Sequence, residues 1–413
     1  MTALDEFIAD ARKVTLDFVF EQVGGQLGRK RANEYVGPCP ACGGRDRFAI
    51  NFVKGMWFCR QYDGGRGGDG LALMAHVHDV DLKRRDGMLL ACSEVQGGRP
   101  IPDGGERESD AARAERQARI VKRQADAAAK RAKNEKSENA FRERKISQAR
   151  GIYLNAISGA RTAGEAYLLR RTGARSLPDA LWENLRFAAA HSYWHGKDAG
   201  GRDVELHCGP ALIAAMVDLT GHVTGCHQTW IDLDRPPKLR PTLTNDAGEK
   251  VPTKKMLGHK RGSLIPVLGD LDAVRWLVGE GIETVLAVAM AEGFRGDTFY
   301  AAAGDIGNLA GPADKDSAFS HPSLTKQDVN GRWSAVRVAG PVPKPDSDGD
   351  AFQVLPHVGS LVLLADGDSE FLMTAAAMAR AEARLARDGI DIKTWWPAEG
   401  RDFAEALSVV GSA

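Results

Sequence analysis

Six residues in three short stretches of this 413-residue chain have the types and spacing to hold metal ions. In Cys39-Pro-Ala-Cys42 a tight turn lets two thiolates reach one tetrahedral Zn2+, and Cys59 follows 17 residues later in Trp57-Phe58-Cys59-Arg60-Gln61-Tyr62-Asp63. A second Cys-x-x-Cys knuckle would complete the site, but position 62 is tyrosine. Asp63 is the nearest candidate for the fourth ligand, while His76 and His78 lie one helix away. Cys92, Cys208 and Cys226 have no partner at metal spacing and read as core residues. The other three positions are acidic. Leu277-Val278-Gly279-Glu280-Gly281-Ile282-Glu283 sets a carboxylate at the end of an expected strand, and 86 residues later Leu363-Leu364-Ala365-Asp366-Gly367-Asp368-Ser369 sets two at i and i+2. Glu280, Asp366 and Asp368 together make a hard, oxygen-rich site suited to Mg2+ or Mn2+, and such sites serve phosphoryl transfer. A basic cluster just upstream, Lys250, Lys254, Lys255, His259, Lys260 and Arg261, has the charge to hold nucleotide phosphates or a template backbone.

For the acids to meet, the elements carrying them must lie side by side in a sheet. Apolar runs at Trp276–Val278, Thr298–Ala301 and Leu361–Ala365 alternate with helical text at 283–293 and 371–388, which predicts a parallel sheet covered on both faces. In such sheets ligands bind beyond the carboxyl ends of the strands, which is where Glu280, Asp366 and Asp368 fall. Residues 311–358, rich in Pro, Asp and Ser, read as a surface insertion. The cysteines fall in a Gly- and aromatic-rich stretch with short β-like runs, expected as a metal-stapled hairpin behind one opening helix over 4–22.

The expected organisation is an α/β multidomain chain. It comprises a zinc-ribbon-like domain at 1–96, a charged helical linker at 97–150, a mixed α/β basic subdomain at 151–265 and a catalytic parallel α/β domain at 266–413. Lys+Arg and Asp+Glu number 55 each, so the net charge is zero. That total hides an asymmetry: residues 1–150 carry 28 basic against 22 acidic side chains, and residues 106–150 alone carry 14 against 8. The linker is therefore read as a solvated helix with an excess of positive charge. No apolar run reaches the roughly 18–20 residues that span a bilayer, the start lacks signal-peptide character, and six cysteines in so long a chain are no disulfide framework. The expectation is a cytoplasmic protein without membrane partners.

The order zinc knuckle, spacer, basic mixed domain, Glu-Gly strand end and Asp-x-Asp strand end resembles the bacterial-type DNA primases and the primase-like proteins of phages, plasmids and integrated elements. The likeness covers most of the chain in outline. Residues 37–70 resemble the primase zinc-binding domain, including Trp57-Phe58 and Gly67-Gly68-Asp69, and depart from it at Tyr62. Residues 265–410 resemble the toprim domain, with Glu280 at the family's acid–base glutamate and Asp366 and Asp368 at its metal-binding aspartates. Gly279-Glu280-Gly281-Ile282-Glu283-Thr284 and Gly400-Arg401-Asp402-Phe403-Ala404-Glu405 are closer to the mobile-element branch, whose tail commonly reads Asp-Phe-Asn-Asp; Ala404 and Glu405 depart from it. Glu283 falls near, but not on, the position of a further acid in bacterial primases.

The resemblance implies a nucleotidyltransferase that builds short RNA primers from nucleoside triphosphates on single-stranded DNA. Lys254, Lys255, Lys260 and Arg261 would contact nucleotide or template, Zn2+ would be structural, and Mg2+ or Mn2+ catalytic. Trp57 and Phe58 would either stack bases or pack in the core. No Gly-x-x-x-x-Gly-Lys-Ser/Thr loop occurs, so a helicase motor would be a separate protein. The rival readings are a toprim nuclease using the same acids and a non-catalytic adaptor that binds single-stranded DNA through its zinc domain.

Overall fold

The computed structural model describes residues 2–408 except 28, 32–33, 61–65, 103–135, 137–138, 199, 328–330, 346 and 399. It divides into two compact units, Met1–Glu138 and Asn139–Ala413. Most of the expected solvated linker, residues 103–135, lies outside the described residues, as do Tyr62 and Asp63.

The first unit opens with two helices, α1 (Ala3–Arg12) and α2 (Leu16–Gln22), where the sequence predicts one. Thr15 is extended (φ −75°, ψ 152°) and starts the second helix afresh, so the apolar spacing continues although the backbone does not. Thr2 and Asp5 cap α1 reciprocally. An antiparallel sheet follows in the order β1 (Arg29–Arg31), β2 (Glu34–Cys39), β3 (Gly43–Asn51), β4 (Met56–Cys59) and β5 (Arg66–Gly68), then α3 (Gly70–Val77) and α4 (Arg85–Val95). Phe7, Phe20, Phe48, Ile50, Trp57 and Leu73 form its core. Trp57 is buried, stacked between Phe48 and His76, and its indole N–H donates to the Asp69 carbonyl at 2.9 Å. It is a core residue, and of the two aromatics considered for base stacking only Phe58 is exposed.

The second unit begins with a helix over 139–155 (α5), followed by β6 (Ile157–Ser158), α6 (Ala163–Thr172), α7 (Leu181–Asn184), β7 (Leu185–Lys197), β8 (Asp203–Val217), β9 (Val223–Trp230), β10 (Leu243–Thr244), β11 (Lys250–Val251) and β12 (Lys254–Gly258). Strands β12-β9-β8-β7-β6 form an antiparallel sheet. Ala149 and Tyr153 of α5 pack on one face with Ile213 and Trp230, so the end of the expected solvated helix is part of a core. Alternate residues Leu212, Ala214 and Met216 point to the other face, toward α6 and α7. Cys92 and Cys226 are buried as expected, whereas Cys208 is exposed.

A second sheet then forms from β13 (Ile265–Leu268), β14 (Arg275–Gly279), α8 (Ile282–Ala291), β15 (Thr298–Ala302), α9 (Ile306–Ala310), the hairpin β16 (Phe319–Gln327) and β17 (Trp333–Val338), β18 (Ser360–Leu364), α10 (Phe371–Leu385), β19 (Asp391–Trp395) and α11 (Phe403–Ser408). Its order is β13-β15-β14-β18-β19, with β13 antiparallel and the rest parallel. Leu277, Tyr300 and Val362 share one face with Val285 and Leu286 of α8; Trp276, Phe299 and Leu361 share the other with Met378 and Ala381 of α10. Residues 311–358 are not wholly a surface insertion, because Ala351, Phe352 and Val358 are buried and Phe352 and Val358 pack under α10. No described helix is long and apolar enough to cross a membrane.

This packing is testable by contrast on one strand and its lead-in. Leu277 is fully buried and Val274 is 60% exposed. Leu277→Ala should lower the unfolding free energy of this unit by about 2–5 kcal/mol, and Val274→Ala by less than about 0.5 kcal/mol, in urea titration of the full chain.

Candidate functional site

In the first unit, β2 ends on Cys39, the turn into β3 carries Cys42, β4 ends on Cys59, and α3 presents His76. One donor atom from each lies within 4.8 Å of the others. Cys39 Sγ is 3.3 Å from His76 Nε2, and Cys42 Sγ is 3.5 Å from Cys59 Sγ. The sulfur–sulfur separation is too long for a disulfide, and both distances come within a few tenths of an ångström of the roughly 3.5–3.8 Å that zinc bond lengths set between tetrahedral thiolate and imidazole donors. Asp63, expected as the fourth ligand, lies outside the described residues; among those described, the donor that completes a set of four is His76. The physical reason is local: Gly67 and Gly68 let β5 close against β4, and Asp69, accepting from the Ala72 amide, starts α3 so that His76 comes to rest on Trp57.

In the second unit the connections from β14 and β18 run to opposite sides of the sheet. From β14 the chain goes through α8 to β15, and from β18 through α10 to β19. A crevice therefore opens between the carboxyl ends of these two neighbours. Glu280 follows β14 directly, and Asp366 and Asp368 follow β18; Val278 pairs with Leu363, which brings the two ends to one level. Asp305 leaves β15 at the same edge, because Gly279 pairs with Ala302. A cleft of about 270 Å³ is lined there by Glu280, Asp366, Asp368 and Asp402, and also by Arg171, Lys238, Arg240 and Lys254. Gly367 makes the close approach possible, since a Cβ at this position would fall 2.4 Å from the Arg401 carbonyl oxygen and 2.6 Å from Pro397.

Carboxylates gathered this way repel. Burial, then the charges of Asp366 and Asp305, push the Glu280 carboxyl up to about 7, against the opposing pull of Lys254. A hydrogen bond with Asp366, burial and the charges of Asp366 and Asp402 push Asp368 up to about 6. Both effects favour a cation among them. The acids are less tightly gathered than the zinc donors: among the described residues, only the Cys–His set brings three or more such donor atoms within 4.8 Å of one another. That looser spacing fits Mg2+ or Mn2+, which keep several waters and take one or two carboxylates each, rather than a dry protein cage.

Glu283, in the first turn of α8, has a different environment. It is buried, accepts from Tyr167 Oη at 2.5 Å and from Lys254 Nζ at 2.8 Å. Burial opposes its ionisation, but the Lys254 charge and these hydrogen bonds hold it below the usual carboxylate range. Lys254 is thereby fixed at the edge of the cleft. His227 beneath is fully enclosed, and burial, together with the charges of Lys254 and Arg240, lowers it to about 3.

The basic cluster does not act as one surface, which corrects the expectation from sequence. Lys254 lines the cleft, but successive residues of β12 point to opposite faces, so Lys255 lies over the Tyr193 ring at 3.7 Å and donates to the Trp194 carbonyl. Lys260 pairs with Asp305, and Arg261 with Asp350 at 3.1 Å. The cations that do share the cleft, Arg171, Lys238 and Arg240, were not singled out by the sequence. Lys238 and Arg240 sit in Arg235-Pro-Pro-Lys238-Leu-Arg240-Pro241, a basic loop whose charge was the available signal; Arg171, at the end of α6, gave none.

Residues 34–71 match a family model described as the zinc-binding domain of primase-helicase. With the Cys39, Cys42, Cys59 and His76 donors, this makes the N-terminal region a zinc ribbon and supports a structural Zn2+. Residues 143–267 match a second model, described as a domain of unknown function. No curated protein matches the chain in sequence. Among solved structures, the zinc-binding and RNA polymerase domains of the Aquifex aeolicus primase align over 100% of this chain and 83% of that one, at 13% identity and a TM-score of 0.33. A DNA primase domain from Pseudomonas aeruginosa aligns over 64% and 73%, at 16% identity and a TM-score of 0.33. A DnaG primase catalytic domain bound to single-stranded DNA aligns over 64% and 77%, at 14% identity and a TM-score of 0.35.

The ribbon gives a direct test. Metal analysis of the purified full chain should find one zinc per chain, lost in His76→Ala and in Cys59→Ala and retained in Asp63→Ala. Chelation of the wild type should unfold the first unit, seen as loss of its near-ultraviolet aromatic signal from Trp57.

Proposed function

We propose that this chain is a DNA primase of the kind found in phages, plasmids and integrated elements, and that residues 266–413 are its toprim domain. The observation that carries this reading is the cleft at the β14–β18 crevice, where Glu280, Asp366 and Asp368 converge beside Lys254. Bound there, divalent cations would activate a 3′-hydroxyl and stabilise the charge of a leaving pyrophosphate. The chain's own residues have separable tasks. Asp366 and Asp368 supply oxygen ligands, and Glu280, pushed up to about 7, can hold or release a proton near neutral pH. Lys254, clamped by Glu283, places a fixed positive charge where phosphate charge develops. An adjoining groove of about 680 Å³ shares Lys238, Arg240 and Lys254 with the cleft and adds Arg235 and Lys250, giving room and charge for a nucleotide or a template strand. The zinc ribbon would contribute to selecting the start site, with exposed Phe58 available for stacking.

A nuclease would use the same acids, and an adaptor would use none of them. Incubation with single-stranded DNA, labelled nucleoside triphosphates and Mg2+ or Mn2+ should yield short labelled oligomers. Asp366→Ala should reduce that product to background while binding single-stranded DNA within about twofold of wild type. Shortened DNA in place of oligomers would identify a nuclease, and neither product an adaptor.

A further inference from the structure

The hairpin β16–β17 adds almost nothing to the core of its unit: of its two strands only His321 and Val338 are buried. A two-stranded hairpin is marginally stable in water by itself, so this one depends on its neck. There the buried Arg380 of α10 donates to the carbonyls of Gly311, Ala339 and Gly340, and Ala313 bridges Pro343. His321 accepts at Nδ1 from the amides of Ser323 and Leu324, and its Nε2 stands 2.9 Å from a carboxylate oxygen of Glu370, the cap of α10. Burying a guanidinium costs stability unless its donors are met, and the core gives no reason to build a neck on one. The outer half of the ribbon starts where His321 meets Glu370, at the helix end that follows Asp368.

Beyond an irregularity between Ser320 and Thr325, Thr325 pairs with Ala335 and Gln327 with Trp333. Alternation puts Trp333, Ala335 and Arg337 on one face with Thr325 and Gln327, all of them exposed, while Val336 and Val338 point the other way, half-buried and buried. Trp333 is 64% exposed. The two strands hold Lys326 and Arg337 and no acidic residue, although residues 151–413 carry 27 basic against 33 acidic side chains. Neither of these two cations has an ion pair among the described residues. We infer that this outward face is a stacking platform for an unpaired DNA strand. An unpaired base offers a flat ring to an exposed indole whatever its sequence, and cations beside it neutralise the flanking phosphates. In a duplex those ring faces are already stacked. In a protein interface a tryptophan anchor is enclosed by other apolar side chains, and Thr325, Gln327 and Ala335 supply no large one. The inference rests on the reading that the chain acts on single-stranded DNA and adds a contact outside the cleft, independent of the chemistry there.

Fluorescence anisotropy of a labelled oligothymidine titrated with the full chain tests this. Trp333→Ala should weaken binding about fivefold or more, Trp333→Phe should recover most of the loss, and Leu324→Ala, on the opposite face, should change it less than about twofold. Arg337→Gln should lower the slope of log affinity against log salt by about 0.7. A blunt DNA duplex should bind wild type and Trp333→Ala within about twofold of each other. An oligothymidine that fails to bind the wild type, or binds wild type and Trp333→Ala equally, overturns the inference, as does a duplex weakened as much as the single strand. Sedimentation that shows a dimer of the wild type and a monomer of Trp333→Ala overturns it in favour of a second copy of this chain. If Trp333→Ala lowers the melting temperature, Trp333→Leu, apolar but without a ring, replaces it, and unchanged binding there overturns the platform. Tryptophan-dependent binding in a wild type that makes no primer would leave the platform standing and remove the primase reading; primers made by a wild type whose binding ignores Trp333 would do the reverse.

Discussion

Mutual repulsion among carboxylates is the constraint around which the second unit is arranged. Glu280, Asp366, Asp368 and Asp402 line one cleft of about 270 Å³. A fold does not gather charges of one sign unless something compensates them, and here burial and the neighbouring acids still push Glu280 up to about 7, while a hydrogen bond with Asp366, burial and the nearby acids push Asp368 up to about 6. The arrangement is stable because it rides on a well-packed sheet. Leu277, Val278, Leu361 and Leu363 are buried on strands whose apolar faces meet α8 and α10, and these strands end in the acids.

The opposite wall follows the same logic with the sign reversed. Arg171, Lys238, Arg240 and Lys254 come from two parts of the chain preceding the sheet: the end of α6 and the run from the basic loop to the start of β12. Glu283 is the hinge of this arrangement. It sits three residues beyond Glu280 and lines the same cleft, yet it is buried and its two oxygens are taken by Tyr167 and Lys254. An acid that falls, in the sequence, near the position of a further acid in bacterial primases is in this environment a positioning residue for a lysine. In the first unit the donors are soft thiolates and an imidazole, and there Cys39, Cys42, Cys59 and His76 gather closely enough for a closed site.

What the sequence made legible is what local spacing controls. The Cys-x-x-Cys turn, the acids at strand ends and the strand–helix alternation are each contained in a few residues, and Glu280, Asp366 and Asp368 do line one cleft. What it left hidden depends on contacts between distant segments. His76 reaches the zinc site through the packing of α3 on β4 and β5, which no spacing rule encodes. Lys254 and Lys255 look equivalent in the text, and the alternation of β12 sends one to the cleft and the other to Tyr193. Arg171 precedes Glu280 by more than a hundred residues and joins the cleft only through the packing of α6 against α8. Phe352 and Val358 were hidden for a compositional reason, being apolar residues at the close of a stretch otherwise rich in Pro, Asp and Ser.

The central claim is that the carboxylates at the β14–β18 crevice exist to hold divalent cations. Electron paramagnetic resonance of Mn2+ titrated into the zinc-loaded full chain tests it most directly, because bound and free Mn2+ give distinct signals without reference to any reaction. Saturable Mn2+ binding in the wild type, weakened about tenfold or more in Asp366→Asn and in Asp368→Asn with the zinc content unchanged, is the predicted result. Equal Mn2+ binding in wild type and both variants would contradict it.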